Sequence, residues 1–452
     1  MSKNSIPENG IYDARELGAS RMLVLGIQHM FAMFGATVLV PVLTGLSVSA
    51  TLLFAGLGTL LFHFLAKGKV PAFLGSSFAF IGGYQAIAGI PGVDLNTDML
   101  PYACFGVALA GLMYVILAAL FKAFGTKKVM KFFPPIVTGP IIICIGLILS
   151  SSAIDNCRTN WWIALVAIAV VIIANIFGKG MVKIIPILLG VVASYAVAAV
   201  SGNVDFAPVR DAAWLGLPVQ WNRTVLALFG NPNLDPSMLI TAAVTIMPLA
   251  IATMVEHIGD MCAISSTCER NYMEDPGFHR TLLGDGLATA LASLFGAPAN
   301  TTYGENTGVL ALSKVYDPRV VRIAAYFAIA FSFCPKFAAL VSAMPAATIG
   351  GISMILYGMI SAVGVRNVVE NKVDFTNTRN VIIAALILVL AIGIHYSGAV
   401  SFSIAGVTIS LSGLAVAAIV GIVLNAILPG KDYEFGTDSQ GDTAVNFGSR
   451  NN

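Results

Sequence analysis

Glu256 lies in Met254-Val255-Glu256-His257-Ile258-Gly259-Asp260, at the end of an apolar run. A carboxylate inside a hydrocarbon-length apolar run is costly and marks a functional site by default. Asp260 follows four residues later, so on a helix it shares the face of Glu256, about one turn away. Glu305 opens another short apolar stretch. Carboxylates sharing one cavity disfavour joint ionisation, so one of them is expected to take and release a proton near neutral pH. Asp260 also has a plainer reading, as a helix-end cap or as a partner for Lys/Arg at the membrane face.

Two interrupted hydrophobic stretches, near 72–90 and 299–313, accompany these acids. The first contains Pro71, Gly75, Ser76, Ser77, Phe78, Gly82 and Gly83; the second contains Pro298, Thr301, Thr302, Tyr303, Gly304 and Gly308. Ser76, Ser77, Thr301 and Thr302 suit extended backbone. A short helix starting after them leaves free N–H groups and a positive dipole end that suit carbonyl oxygens or anions. The plainer reading is a pair of Gly/Pro kinks for tight helix packing. Phe78, Tyr303 and Tyr357 are candidate walls for a flat ring.

These residues need a membrane scaffold. The chain is 57% hydrophobic and 11% charged over 452 residues, against about 25% charged in soluble domains. A net charge of +2 gives no case for nucleic-acid binding. Spans of about 20 apolar residues are expected near 23–42, 49–65, 101–121, 134–150, 161–177, 182–201, 237–258, 281–296, 320–343, 345–363, 380–397 and 406–428. With the two interrupted stretches this makes fourteen segments, an all-α polytopic membrane protein. Alternate connections and the two ends hold twenty-one Lys/Arg, and the opposite connections only Arg158, Arg210 and Arg223. That bias places both termini in the cytoplasm. The polar connection 202–236 divides the segments into two halves of seven, inverted relative to each other, each with its third segment interrupted. Paired breaks of this kind point to a transport site at the bilayer midplane.

His29 follows Gln28 in the first span, as site support or as hydrogen-bonding glue between helices. His63, His279 and His395 lie near segment ends and read as interfacial. The cysteines Cys104, Cys144, Cys157, Cys262, Cys268 and Cys334 show no metal or CxxC spacing and read as small core residues. The polar N-terminus shows no cleavable signal. No nucleotide, hydrolase or zinc-protease motif stands in a sensible context, so no cofactor or metal is expected and an ion or solute gradient must supply the energy. An intramembrane protease would need two facing aspartates, a receptor would bind without accumulating solute, and two acids in the site argue against an inorganic-anion carrier.

Gln28-His29 with the following residues to Pro41, the stretch 71–80, Glu256-His257-Ile258-Gly259, and Asn300-Thr301-Thr302-Tyr303-Gly304-Glu305-Asn306 resemble the nucleobase–ascorbate transporter (nucleobase:cation symporter) family, close to its bacterial uracil permeases. The likeness runs from about residue 20 to 428. It implies a seven-plus-seven inverted repeat with segments 3 and 10 discontinuous, each holding a short strand. A core domain would comprise 21–124 and 237–344, and a gate domain 125–202 and 345–428. Residues 1–20 would form a cytoplasmic segment, 203–236 the extracytoplasmic connection, and 429–452 a disordered tail. Uracil would be held by Glu256 and Glu305, with Phe78, Ser77, Tyr303, Gly304 and Tyr357 around it and with His29, Gln28 and Asn306 in support. The implied activity is proton-coupled uracil import across the bacterial cytoplasmic membrane, with a homodimer formed through the gate domains. A xanthine or other purine symporter is the alternative on the same fold. Aspartate at position 260 departs from the uracil-permease pattern, which has histidine there. The coupled proton is therefore expected on Glu305, Asp260 or Glu256. The physics agrees: carboxylates accept from ring N–H groups and half-helix amides donate to ring carbonyls.

Overall fold

The computed structural model describes residues 10–232, 234–398, 400–404, 407–431 and 433, without the side chains of Thr126, Met181, Ile184, Val255, Glu305, Leu312 and residues 401–410. The expectation of a disordered tail therefore falls mostly outside the described residues.

The chain is mostly helical. Its elements are α1 (Ala19–Thr44), α2 (Val48–Leu65), β1 (Leu74–Ser76), α3 (Ile81–Ala88), α4 (Leu100–Phe124), α5 (Pro135–Arg158), α6 (Trp161–Phe177) and α7 (Pro186–Val200), followed by α8 (Pro236–Ile246), α9 (Leu249–Thr267) and α10 (Phe278–Leu294). Then come β2 (Asn300–Thr302), α11 (Gly304–Ser313), α12 (Pro318–Ser332), α13 (Pro335–Ser342), α14 (Ala346–Glu370), α15 (Thr378–Ser397), β3 (Val400–Ile404), β4 (Val407–Leu411) and α16 (Gly413–Ile427). Among the described residues, seven helical stretches are long and apolar enough to cross a membrane, or eight if α12 and α13, bent by 89°, form one span. Three further apolar helices, α6, α7 and α16, are shorter.

Small residues let the long helices approach closely. A Cβ on Gly146 of α5 would lie 2.1 Å from the Tyr357 carbonyl of α14, and one on Gly364 of α14 would lie 2.6 Å from the Ile143 nitrogen of α5. The pair α4/α10 repeats this device: a Cβ on Gly111 would stand 2.7 Å from the Gly286 carbonyl. Without a hydrophobic drive between helices in lipid, such close approach is what makes them associate.

Three expectations are corrected here. The last segment, expected from 406, becomes helical only at Gly413, because Val407–Leu411 forms β4 against β3. The eighth segment does not stop at 258. After a break at Met247 and Pro248, the helix runs on to Thr267, so Asp260 sits in a helix interior. Hydropathy ended the segment early because its last turns carry polar residues, but Ser265 there is fully buried. His63 is not interfacial: it is 2% exposed, and its Nε2 donates to the Ala72 carbonyl at 2.8 Å. His279 is half-buried and His395 exposed. All six cysteines are free thiols, and only Cys334 is not fully buried.

Candidate functional site

The site is built on a two-stranded ladder. β1 and β2 pair antiparallel, with Leu74 opposite Thr302, Gly75 opposite Thr301 and Ser76 opposite Asn300. Ser77 N–H to Ala299 O (2.8 Å) and Tyr303 N–H to Phe73 O (3.0 Å) extend it at both ends. A two-stranded sheet buried in a membrane fold needs partners on its outer edges, since lipid supplies none. Thr59 of α2 provides one: its Oγ1 accepts from Leu74 N (2.9 Å) and donates to Ala55 O of its own helix (2.8 Å). On the other edge Thr289 of α10 donates to Asn300 O at 2.8 Å, and the Asn300 amide donates to Phe54 O at 3.0 Å.

Antiparallel pairing sends α3 and α11 away from opposite ends of this ladder. Phe80 precedes α3 and Tyr303 precedes α11, and neither caps its helix through a side chain. Both helix N-termini therefore lie at the ladder without a side-chain cap.

Asp260 of α9 reaches one of them. Its Oδ2 accepts from Thr302 Oγ1 at 2.8 Å, and its Oδ1 would stand 3.9 Å from a Cβ placed on Gly304, the first residue of α11. Asp260 therefore contacts the strand–helix junction. Glu256, one turn earlier on α9, is half-buried. Glu305 occupies the first turn of α11; its side chain lies outside the described residues.

The support residues converge on the same place. His29 is fully buried, and Asn306 Nδ2 donates to both its Nδ1 and its carbonyl oxygen, each at 3.1 Å. Because Nδ1 accepts, the proton of the neutral ring resides on Nε2. Gln28, its neighbour on α1, is half-buried. Ser77 is fully buried, and its hydroxyl has no partner among the described residues. Phe78 meets Tyr357 of α14 edge to face, with ring centroids 6.2 Å apart. Tyr303 is a brace as much as a wall: its ring covers Gly75, where a Cβ would lie 2.5 Å from it, and its hydroxyl donates to Ser76 O at 2.8 Å.

One buried pair of ionisable residues escaped the sequence reading. His257 and Asp285 are both fully buried, with Nδ1 2.9 Å from Oδ2. The signal was available, since Asp285 is an acid inside the expected span 281–296. Beside α3, a cavity of about 400 Å³ lies between this helix and α5, α15 and α16, lined by Ala79, Gly82, Leu149, Ser152 and Leu414 among others. Among the described residues no group of His, Cys, Asp and Glu is arranged to hold a metal ion.

Long apolar helices around two broken segments, with acidic and amide side chains at the breaks, define a multi-pass membrane transporter. The fold is shared with the transmembrane domain of the cyanobacterial bicarbonate transporter BicA (TM-score 0.58, 18% identity, covering 92% of this chain and 98% of that one). It is shared also with murine Solute Carrier 26 family member A9, an anion transporter solved in the inward-facing state (TM-score 0.64, 10% identity, 94% and 69%). The profile of the permease family Xan_ur_permease matches residues 20–400, and the chain belongs to that family. It is 40% identical over 430 residues to the uracil permease of Bacillus subtilis (strain 168), covering 92% of this chain and 94% of the relative. It is 42% identical over 422 residues to that of Bacillus caldolyticus (90% and 92%), and 36% over 415 to that of Escherichia coli (strain K12) (89% and 90%).

Proposed function

We propose that this protein imports uracil across the bacterial cytoplasmic membrane together with protons, by alternating access. The reading takes the chain as fourteen segments in two inverted halves, with both termini cytoplasmic. A core of 21–124 and 237–344 moves against a gate of 125–202 and 345–428. Glu256 and Glu305 accept from the ring N–H groups, and the open amides at the ladder ends donate to the ring carbonyls. Phe78, Ser77, Tyr303, Gly304 and Tyr357 surround the ring, and His29, Gln28 and Asn306 hold the first turn of α11 in place. Glu305, Asp260 and Glu256 are the candidate carriers of the coupled proton.

The single observation that carries the reading is the placement of α9 against the ladder. It brings Asp260 to the N-terminus of α11, which supports a reading in which acceptors and donors for one small heterocycle stand together. Two more facts support it: the uracil permeases among the relatives cover nearly the whole chain, and Phe78 and Tyr357 meet where core and gate would part. A site of buried polar groups discriminates strongly, because a wrong ring leaves them unpaired.

The test is uptake of labelled uracil into proteoliposomes with an inward proton gradient. Accumulation that collapses with a protonophore is expected. Uptake indifferent to the gradient would remove the symport reading, and competition by xanthine at equal strength would replace uracil by a purine.

A further inference from the structure

The connection 203–236 is polar in composition but carries a strongly apolar exposed face. Trp214, Leu215, Leu217 and Trp221 are 74%, 81%, 84% and 62% exposed. Such indole and aliphatic side chains beside the ends of membrane helices belong in the headgroup layer. The stretch is held in place at the corner between α12 and α13. Gly216 N–H donates to Phe333 O (3.0 Å), Lys336 N–H to Ala213 O (2.9 Å), and Lys336 Nζ to Val209 O (2.9 Å) and Arg210 O (3.1 Å). The same ammonium lies 5.2 Å from the Trp214 ring centroid. Lys336 thus stands on the same side of the charge alternation as Arg210 and Arg223 and fastens this strap.

Beneath the strap lies a cavity of about 480 Å³, between the α1–α2 corner, the connection and α13. Among the described residues, Arg223 is the only charged one lining it, and no carboxylate does. Arg158, another arginine of these connections, is bonded to Asp155 at 2.9 Å. The Arg223 guanidinium has no such partner among the described residues. Ser49 also lines the cavity, is 8% exposed, and has no side-chain partner among the described residues. Val48 and Ser49, the first two residues of α2, line the same wall, and their amides have no intrahelical acceptor. A guanidinium, a buried hydroxyl and free amides with no acid between them form a site for an oxyanion. Leu217 lines this cavity and is also part of the exposed apolar face.

We propose that the cavity binds the phosphate of a phospholipid in the leaflet on its side of the membrane. The phosphate bonds Arg223, and the acyl chains leave over Leu217 and Trp214. The apolar rim decides for a lipid over a free anion, which would have no use for it.

The experiment uses the full chain in detergent, incubated with equimolar phosphatidylglycerol, phosphatidylcholine and diacylglycerol, with retained lipid counted by native mass spectrometry. The two phospholipids are expected to be retained and diacylglycerol lost. Arg223→Gln should lower phospholipid retention about tenfold, the worth of a charge-assisted hydrogen bond. Equal retention of diacylglycerol, or unchanged retention in Arg223→Gln, overturns the proposal. Displacement by millimolar inorganic phosphate overturns the lipid source in favour of a free anion, and displacement by uracil would make the cavity a solute vestibule. If Arg223→Gln is not monodisperse, Arg223→Lys and Ser49→Ala carry the test: each should retain less phospholipid than the parent, and parental retention in both overturns the proposal.

Discussion

Thr302 donates its hydroxyl hydrogen to Asp260 Oδ2 at 2.8 Å, tying the last residue of β2 to the acidic face of α9 one residue before Tyr303 and the start of α11. This bond makes the position of Asp260 separable from its charge. Asp260→Asn keeps a carbonyl oxygen for Thr302 but cannot ionise. Expected is uracil affinity within about threefold of the parent, with uptake that varies less between pH 5 and 8. Thr302→Val leaves the carboxylate without this donor and should cost about 1–3 kcal/mol of stability. An unaltered pH profile in Asp260→Asn would remove Asp260 from proton coupling.

Glu256 is the sharper test of the proposed substrate site. Glu256→Gln replaces a charged acceptor by an amide that also donates. Charge-assisted bonds are worth about 1.5–3 kcal/mol, so uracil binding measured by calorimetry should weaken by at least about tenfold. Undiminished affinity would place the ring elsewhere.

Tyr303 separates bracing from stacking. Tyr303→Phe keeps the ring over Gly75 and deletes the bond to Ser76 O, so melting temperature should fall while uracil affinity holds. Gly75→Ala pushes a methyl to 2.5 Å from that ring and 2.7 Å from Thr37 Oγ1. Overpacking of this kind costs about 1–3 kcal/mol. Gly82→Ala, with no atom within 4 Å of the added carbon, is the matched control and should melt like the parent.

How much of this was legible beforehand depends on how each residue signals. Glu256, Asp260 and Glu305 announce themselves because acids are conspicuous in apolar runs, and the breaks near Gly75 and Gly304 are visible as Gly, Pro, Ser and Thr clusters. The strand pairing itself follows from no local pattern, since Leu74 and Thr302 are brought together only by the tertiary fold. His63 was misjudged because a polar residue near a segment end ordinarily reaches water; here the chain doubles back and gives it the Ala72 carbonyl. Asp285 was conspicuous by the same logic as Glu256, but its partner His257 faces it from another helix, and pairing across helices leaves no trace in spacing.

The correction at His63 carries its own prediction. His63→Leu fills similar space but leaves the Ala72 carbonyl unpaired in a fully buried site. A buried acceptor without its donor costs about 1–3 kcal/mol. Lower melting temperature with unchanged uracil affinity is the expected outcome; a parental melting temperature would return His63 to the interface.

The N-terminal stretch makes a pH prediction. Ile11 pairs with the chain at Lys314 and Tyr316, Tyr12 donates to Cys268 O at 2.8 Å, and Arg319 donates to Asp13 at 2.7 Å. This strap joins the ends of α9 and α11, the two helices that carry the acids. Hydrogen bonds from Arg15, with the charge of Arg319 adding, hold the Asp13 carboxyl well below the usual carboxylate range. A depressed carboxylate contributes its stability above its unfolded value and loses it only as pH falls through the folded one. Between pH 5 and 8 the strap should therefore not respond to pH. Hydrogen exchange at the Ile11 and Tyr316 amides, corrected for intrinsic rate, should match across that window in the parent and be faster in Asp13→Asn throughout. Exchange that accelerates toward pH 5 in the parent would mean that Asp13 does not fasten the strap.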